Sequence, residues 1–160
     1  MLERFTEELN NFAEELIEQY KSNLESNGHD ASGNLTNSVT FEVHVNDYDF
    51  GIELNLADYW IYVEEGRGPG KFPPPDAILN WINVKNIMPH EINGKLPSEQ
   101  SLAFLIGRKI AEEGTRGTHD MEDAKRDVIS KYETILSEAL AEDYNEEAMD
   151  MISQSLFFNI

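Results

Sequence analysis

Leu2, Phe5, Leu9, Phe12, Leu16 and Tyr20 return every third or fourth residue, and Ala13, Ile17 and Leu24 widen the same stripe. Only a 3.6-residue repeat holds such a set on one side of the backbone. Residues 1–27 are therefore predicted to form a long amphipathic helix with its glutamates outward. Asn27–Gly28 is the expected stop. A stripe of that length needs a core to cover it, and 160 residues with 40% apolar content can supply one without a metal or disulfide staple. Cysteine is absent. That excludes disulfide frameworks, thiol nucleophiles, Cys-ligated zinc and iron–sulfur clusters. No apolar run reaches the roughly 18 residues of a membrane span, and Met1–Leu2–Glu3–Arg4 does not open like a signal peptide.

The periodicity then changes. His29 to Ser38 is small and polar and reads as a loop. Val39–Val45 and Phe50–Leu56 alternate apolar and polar residues around Asn46–Asp47–Tyr48–Asp49, the pattern of a β-hairpin. Residues 58–63 fit a third strand or a short helical turn equally well. Glu64 to Pro75 is a Gly- and Pro-rich loop, followed by a short helix that Asp76 is expected to cap. After a loop from Pro89 to Pro97, Ser98 caps a third helix that ends at Gly114. A loop to Thr118 leads to a last helix carrying Val128, Tyr132, Ile135, Leu136 and Ala139. Whether it runs on through Glu142–Asn145 to Ile152 is open at this level. Tyr59, Trp60, Tyr62 and Trp81 are expected in the core, where large aromatics usually pack. The expected fold class is α+β: a small antiparallel sheet packed with several helices, with long amphipathic helices at both termini. One domain is expected over 1–160, with the N-terminal helix at 1–27, an α+β core at 30–118 and an acidic helical segment at 119–160.

Thirty-one acids oppose twelve bases, a formal charge of −19. Residues 1–60 hold thirteen acids against Arg4 and Lys21, and residues 131–160 hold seven against Lys131. Residues 61–130 are near neutral, with eleven acids and nine bases. Such an excess argues against wrapping nucleic acid or binding anionic membrane, both of which need clustered Lys and Arg. It suits a solvated, self-repelling surface, the lining of a passage for DNA, or an imitation of DNA for a basic target.

Catalysis and cofactors find no support. Gly66–Arg67–Gly68–Pro69–Gly70–Lys71 has three residues before its Gly–Lys where a phosphate loop needs four, and Phe72 stands where the hydroxyl belongs. His29, His44, His90 and His119 lie singly, without the spacing of a helical zinc site. Asp47 and Asp49 lack the glycine and distal glutamate of a calcium loop. Ser22, Ser32 and Ser38 have no nucleophile elbow. No catalytic, cofactor-binding or metal residue is assigned.

Three segments rise above this background. They are Ser32–Gly33–Asn34–Leu35–Thr36–Asn37–Ser38; Tyr59 through Pro69 with its Val63–Glu64–Glu65–Gly66 run; and Leu102 through Thr115 with its Arg108–Lys109–Ile110 and Gly114–Thr115 end. In order and spacing they resemble the tail-completion, or neck, proteins of tailed bacteriophages over about residues 30–118. Glu65 stands where an apolar residue is common in that family. The resemblance implies a small α+β structural subunit and not an enzyme. It would be made in the bacterial host cytoplasm and would act in the virion at the head–tail junction. Implied partners are the chain itself, with a hexameric ring as one arrangement, and neighbouring neck, connector or tail-tube proteins. DNA would be a passing polymer only, and no membrane is involved. A second function, suggested by charge alone, is an acidic DNA-mimic inhibitor of a host DNA-binding enzyme.

Glu64, Arg67, Lys71, Arg108, Lys109 and Arg116 flank the Gly-rich loops in the near-neutral middle and are the candidate charges of an assembly interface. Surface ion pairs within the chain are their ordinary alternative. Leu156, Phe157 and Phe158, in the terminal Leu156–Ile160 patch, complete the candidate set. This patch is expected to be buried on the N-terminal helix or in a neighbour, and to return across the surface rather than prolong the last helix.

Overall fold

The alternation and helical stripes generate six helices and two two-stranded antiparallel sheets among the described residues, an α+β architecture. The computed structural model describes residues 2–46, 49–91, 94 and 96–157, with side chains followed as far as Ser153. In chain order the elements are α1 (Glu3–Ser26), α2 (Asn34–Ser38), β1 (Thr40–Val45), β2 (Phe50–Asn55), α3 (Trp60–Glu64) and β3 (Gly66–Arg67). They continue as α4 (Pro75–Val84), α5 (Glu99–Glu113), β4 (Thr115–Arg116) and α6 (Asp120–Phe157). The expected single domain divides into two compact units. One comprises Met1–Asn23, Val39–Asn55 and Met121–Ile160, the other Leu24–Ser38 and Leu56–Asp120. No helix among the described residues is long and apolar enough to cross a membrane.

The first unit joins α1, the hairpin and α6. The stripe of α1 buries Phe5, Leu9, Ala13, Leu16, Ile17 and Tyr20 as its spacing requires. Strands β1 and β2 pair from Thr40↔Asn55 to Val45↔Phe50, so Val43, Val45 and Ile52 pack beside Phe5, Leu9 and Ala139. The Phe5 and Phe50 rings meet edge to face at 4.8 Å, and those of Phe12 and Tyr132 at 5.5 Å. Asp143 is buried because its carboxylate accepts the Arg4 and Phe5 amides (3.3 and 2.9 Å), capping a helix start that has no cap of its own.

Helix α6 resolves the question left open at Glu142–Asn145: it continues without a break to Phe157. The expected return of the terminus across the surface is thus wrong as far as Phe157. No Gly or Pro interrupts the segment, and each added residue extends an existing hydrogen-bonded ladder at no new nucleation cost. Its buried side chains, Asp120, Met121, Ala124, Val128, Tyr132, Ala139 and Asp143, end there; residues 144–153 are all exposed. Phe158 to Ile160, and the side chains of Leu156 and Phe157, lie outside the described residues.

The second unit holds the remaining elements. Its N-terminal segment is the end of α1, closed where the His29 amide reaches the Leu24 carbonyl (2.8 Å) and the Gly28 amide that of Glu25 (3.1 Å). The polar stretch before the hairpin is not all loop. Asp30 accepts the Gly33 and Thr36 amides (3.0 and 2.7 Å) and so starts the five-residue α2. Helices α4 and α5 form the core through Ile78, Ile82 and Ala103. Asp76 does not cap α4. Pro74 holds that position and Pro75 begins the helix, where its missing amide costs nothing; Asp76 lies in the first turn, favoured there by the helix dipole. Ser98 caps α5 as expected, accepting the Ser101 amide (3.2 Å).

Candidate assembly surface

All three family-like segments belong to the second unit. The first is structural: Leu35 is buried, and the Ser38 hydroxyl donates to the Leu35 carbonyl (2.8 Å) while accepting the Ala57 amide (3.0 Å). The other two meet. Strands β3 and β4 pair antiparallel, Gly66 opposite Arg116 and Arg67 opposite Thr115. Of residues 58–63, Asp58 and Tyr59 form a turn and the rest are helix, since α3 occupies Trp60–Glu64 and delivers the chain to that pairing. Gly66 and Gly114 have positive φ (76° and 80°), and a Cβ at either would overlap backbone of the facing strand or its flank, Thr115 in one case and Arg67 in the other. The Thr118 and His119 amides then bind the Val63 and Glu64 carbonyls (2.9 and 3.2 Å). Beyond β3, the Pro loop crosses α5. The Gly70 amide donates to the Ala111 carbonyl (2.9 Å), and Phe72 covers Gly107, where any Cβ would stand 2.5 Å from its ring.

These constraints fix the charged candidates. Arg67 donates to the Lys71 carbonyl, and the Lys71 side chain is exposed. Arg108 and Lys109 face Glu112 and Glu113 one turn on, each at 3.8 Å and well exposed, so they are weak pairs within α5. Arg116 is exposed. Glu64 differs from the rest: it is only 5% exposed, because the crossing of α3 with the segment after β4 encloses it, and it is no surface charge in this form. Leu156 and Phe157 lie in the backbone of α6 and in the other unit, and Phe158 lies outside the described residues.

The aromatics overturn the core expectation. Tyr59, Tyr62 and Trp81 are 43, 61 and 42% exposed, and Trp60 is half-buried. Tyr62 and Trp81 belong to an open groove of about 550 Å³ between α3, α4, α5 and β4, with Ile106 and Ile110 beside them and Lys85 and Arg116 as its Lys/Arg members. The groove was invisible in the sequence because α3 is a single turn, too short for a period, and the exposed face of α4 carries a tryptophan. At one end of the groove stands His29, whose Nδ1 lies 2.6 Å from fully buried Asp120; Asn27 donates to the other oxygen (2.8 Å). This pair ties the end of α1 to the start of α6. Thr118 also lines the groove, and its hydroxyl has no hydrogen-bond partner among the described residues. Among those residues no three His, Asp or Glu side chains gather to hold a metal.

Charge is divided between the units. The first contains twenty acids and five bases, the second eleven and seven, leaving −15 and −4. The exposed aromatic groove therefore belongs to the unit with the lesser electrostatic penalty for approaching another acidic chain. Comparison of the chain with family models, with curated proteins and with solved structures gives no match in any of the three.

Proposed function

We propose that this chain is a non-enzymatic structural component of a tailed-phage virion, a tail-completion or neck protein that joins head to tail through protein contacts. The observation that carries this is the pairing of Gly66–Arg67 with Thr115–Arg116. It joins two of the family-like segments beside an exposed aromatic groove, which gives their Gly and Arg residues one common use. Partners are further copies of the chain, in a ring, and adjacent neck, connector or tail-tube proteins. DNA passes without being bound, as the −19 charge favours. Removing the gene from the phage or induced prophage that encodes it should leave filled heads and finished tails unjoined in electron micrographs. Joined particles at normal yield would refute the proposal.

The charge of −15 on the first unit supports a second function, mimicry of DNA toward a basic host enzyme. A pull-down from host lysate separates the two. A mimic retains a DNA-binding enzyme and releases it as salt rises, whereas a neck protein retains virion proteins from infected cells.

A further inference from the structure

We propose that the exposed end of α6 in one copy docks in the aromatic groove of a second copy, so that the chain carries both halves of a head-to-tail contact. The groove offers Tyr62, Trp81, Ile106 and Ile110, and its Lys/Arg members, Lys85 and Arg116, are cationic. The end of α6 offers the complement. Past Asp143 every residue to 153 is exposed, including Tyr144 (52%), Met149 (66%) and Met151 (67%). At 100° per residue, Tyr144, Ala148 and Met151 share one side, while Glu146, Glu147 and Asp150 share the other. Glu146 is engaged by Arg4 (3.0 Å), which leaves Glu147 and Asp150 as the acids for Arg116 and for Lys85, whose ammonium also donates to the Gly28 carbonyl and keeps further N–H donors for a carboxylate. Fourteen residues, Tyr144 to Phe157, prolong α6 by roughly 21 Å, about four turns of helix whose acids lie in the first two turns.

The occupant follows from charge and form. A groove with cationic members calls for an apolar ligand with acidic flanks, and a helix laid in a groove is a recurrent mode of protein recognition. The chain itself presents such a helix. Because groove and helix end are different surfaces, the contact is heterologous: each bound pair leaves one groove and one helix end open. Successive copies close into a ring or run on as an open chain, according to the rotation between them. This names the contact behind the assembly proposed above. It rests on self-association alone and not on a place in the virion.

Complementation between full-length variants tests it, in about 1 M salt, where a Debye length of about 3 Å screens the repulsion between copies. Sedimentation of the unaltered chain should show mass rising with concentration beyond the dimer. Tyr62→Asp in the groove and Met151→Asp on the helix end, both at exposed positions, should each weaken self-association at least tenfold without changing the circular dichroism spectrum. An equimolar mixture of the two has one intact groove and one intact helix end, so it should form a one-to-one dimer and nothing larger. If Tyr62→Asp unfolds, Arg116→Glu takes its place, and Asp150→Arg in the other copy should restore its binding. An unaltered chain that stays monomeric at every concentration overturns the proposal, as does a mixture that remains monomeric. Self-association retained by the groove variant would mean that helix ends pair with each other, and would equally overturn it. None of these failures touches the head–tail phenotype, which is read separately in infected cells.

Discussion

Gly66 and Gly114 carry the tightest local constraint in the second unit, since each combines a positive φ with backbone too close to admit a Cβ. Gly114→Ala should cost about 1–3 kcal/mol from the left-handed backbone alone, with more from displacement of β3, and urea unfolding would measure it. A loss below about 0.5 kcal/mol would show that the two backbones can part freely. Arg67 and Arg116 are opposite in kind, being side chains at or near the surface, where Arg67 donates to the Lys71 carbonyl. Arg67→Ala and Arg116→Ala should each shift stability by no more than about 0.5 kcal/mol, yet lower the yield of joined phage particles. If both unfold the chain, these arginines serve the subunit's own structure. At this scale the sequence was readable for Ser98, which caps α5, and misread for Asp76, whose expected cap position Pro74 holds. It was silent where the partner is distant. Nothing near Glu64 announces its burial, and Asp143 is buried only because the first turn of α1 reaches it from 138 residues away.

The long elements were legible because a stripe or an alternation repeats often enough to identify its period, as in α1 and the β1–β2 hairpin. The β3–β4 pair was not: two residues a side cannot show alternation, and 48 positions separate Arg67 from Thr115. Its trace in the sequence was Gly66, read as loop chemistry, and Gly114, read as a helix end. Between α1 and α6, Glu15 binds the Lys131 ammonium (2.5 Å) and the Tyr132 hydroxyl (3.1 Å). The Lys131 hydrogen bond, aided by Tyr132 and opposed by desolvation, holds the Glu15 carboxyl below its ordinary pKa. A carboxyl depressed by folding stabilises the native state above its unfolded value and loses that contribution as pH falls through the folded one. Glu15→Gln should therefore be less stable than the unaltered chain at pH 7, with the difference shrinking as pH falls past the ordinary carboxyl value and gone once it is below the depressed one. Thermal melts of both proteins across that range would test it, and a difference independent of pH would assign the effect to packing instead.

For the whole molecule, the formal charge of −19 was legible in the sequence, but its division into −15 and −4 required the fold, because the hairpin and both long helices gather in one unit. Under the proposed function the second unit would carry apolar recognition, while the charge of the first predicts that copies repel in dilute, low-salt solution, where like charges are least screened. A component of the head–tail junction must nevertheless be found in the particle at fixed copy number. Quantitative mass spectrometry of purified virions, measured against the portal protein in the same sample, is the most direct test. A neck protein should appear at a small constant number of copies per portal ring and remain after high-salt washing. Infectious virions with heads and tails joined and no trace of the chain would contradict that function.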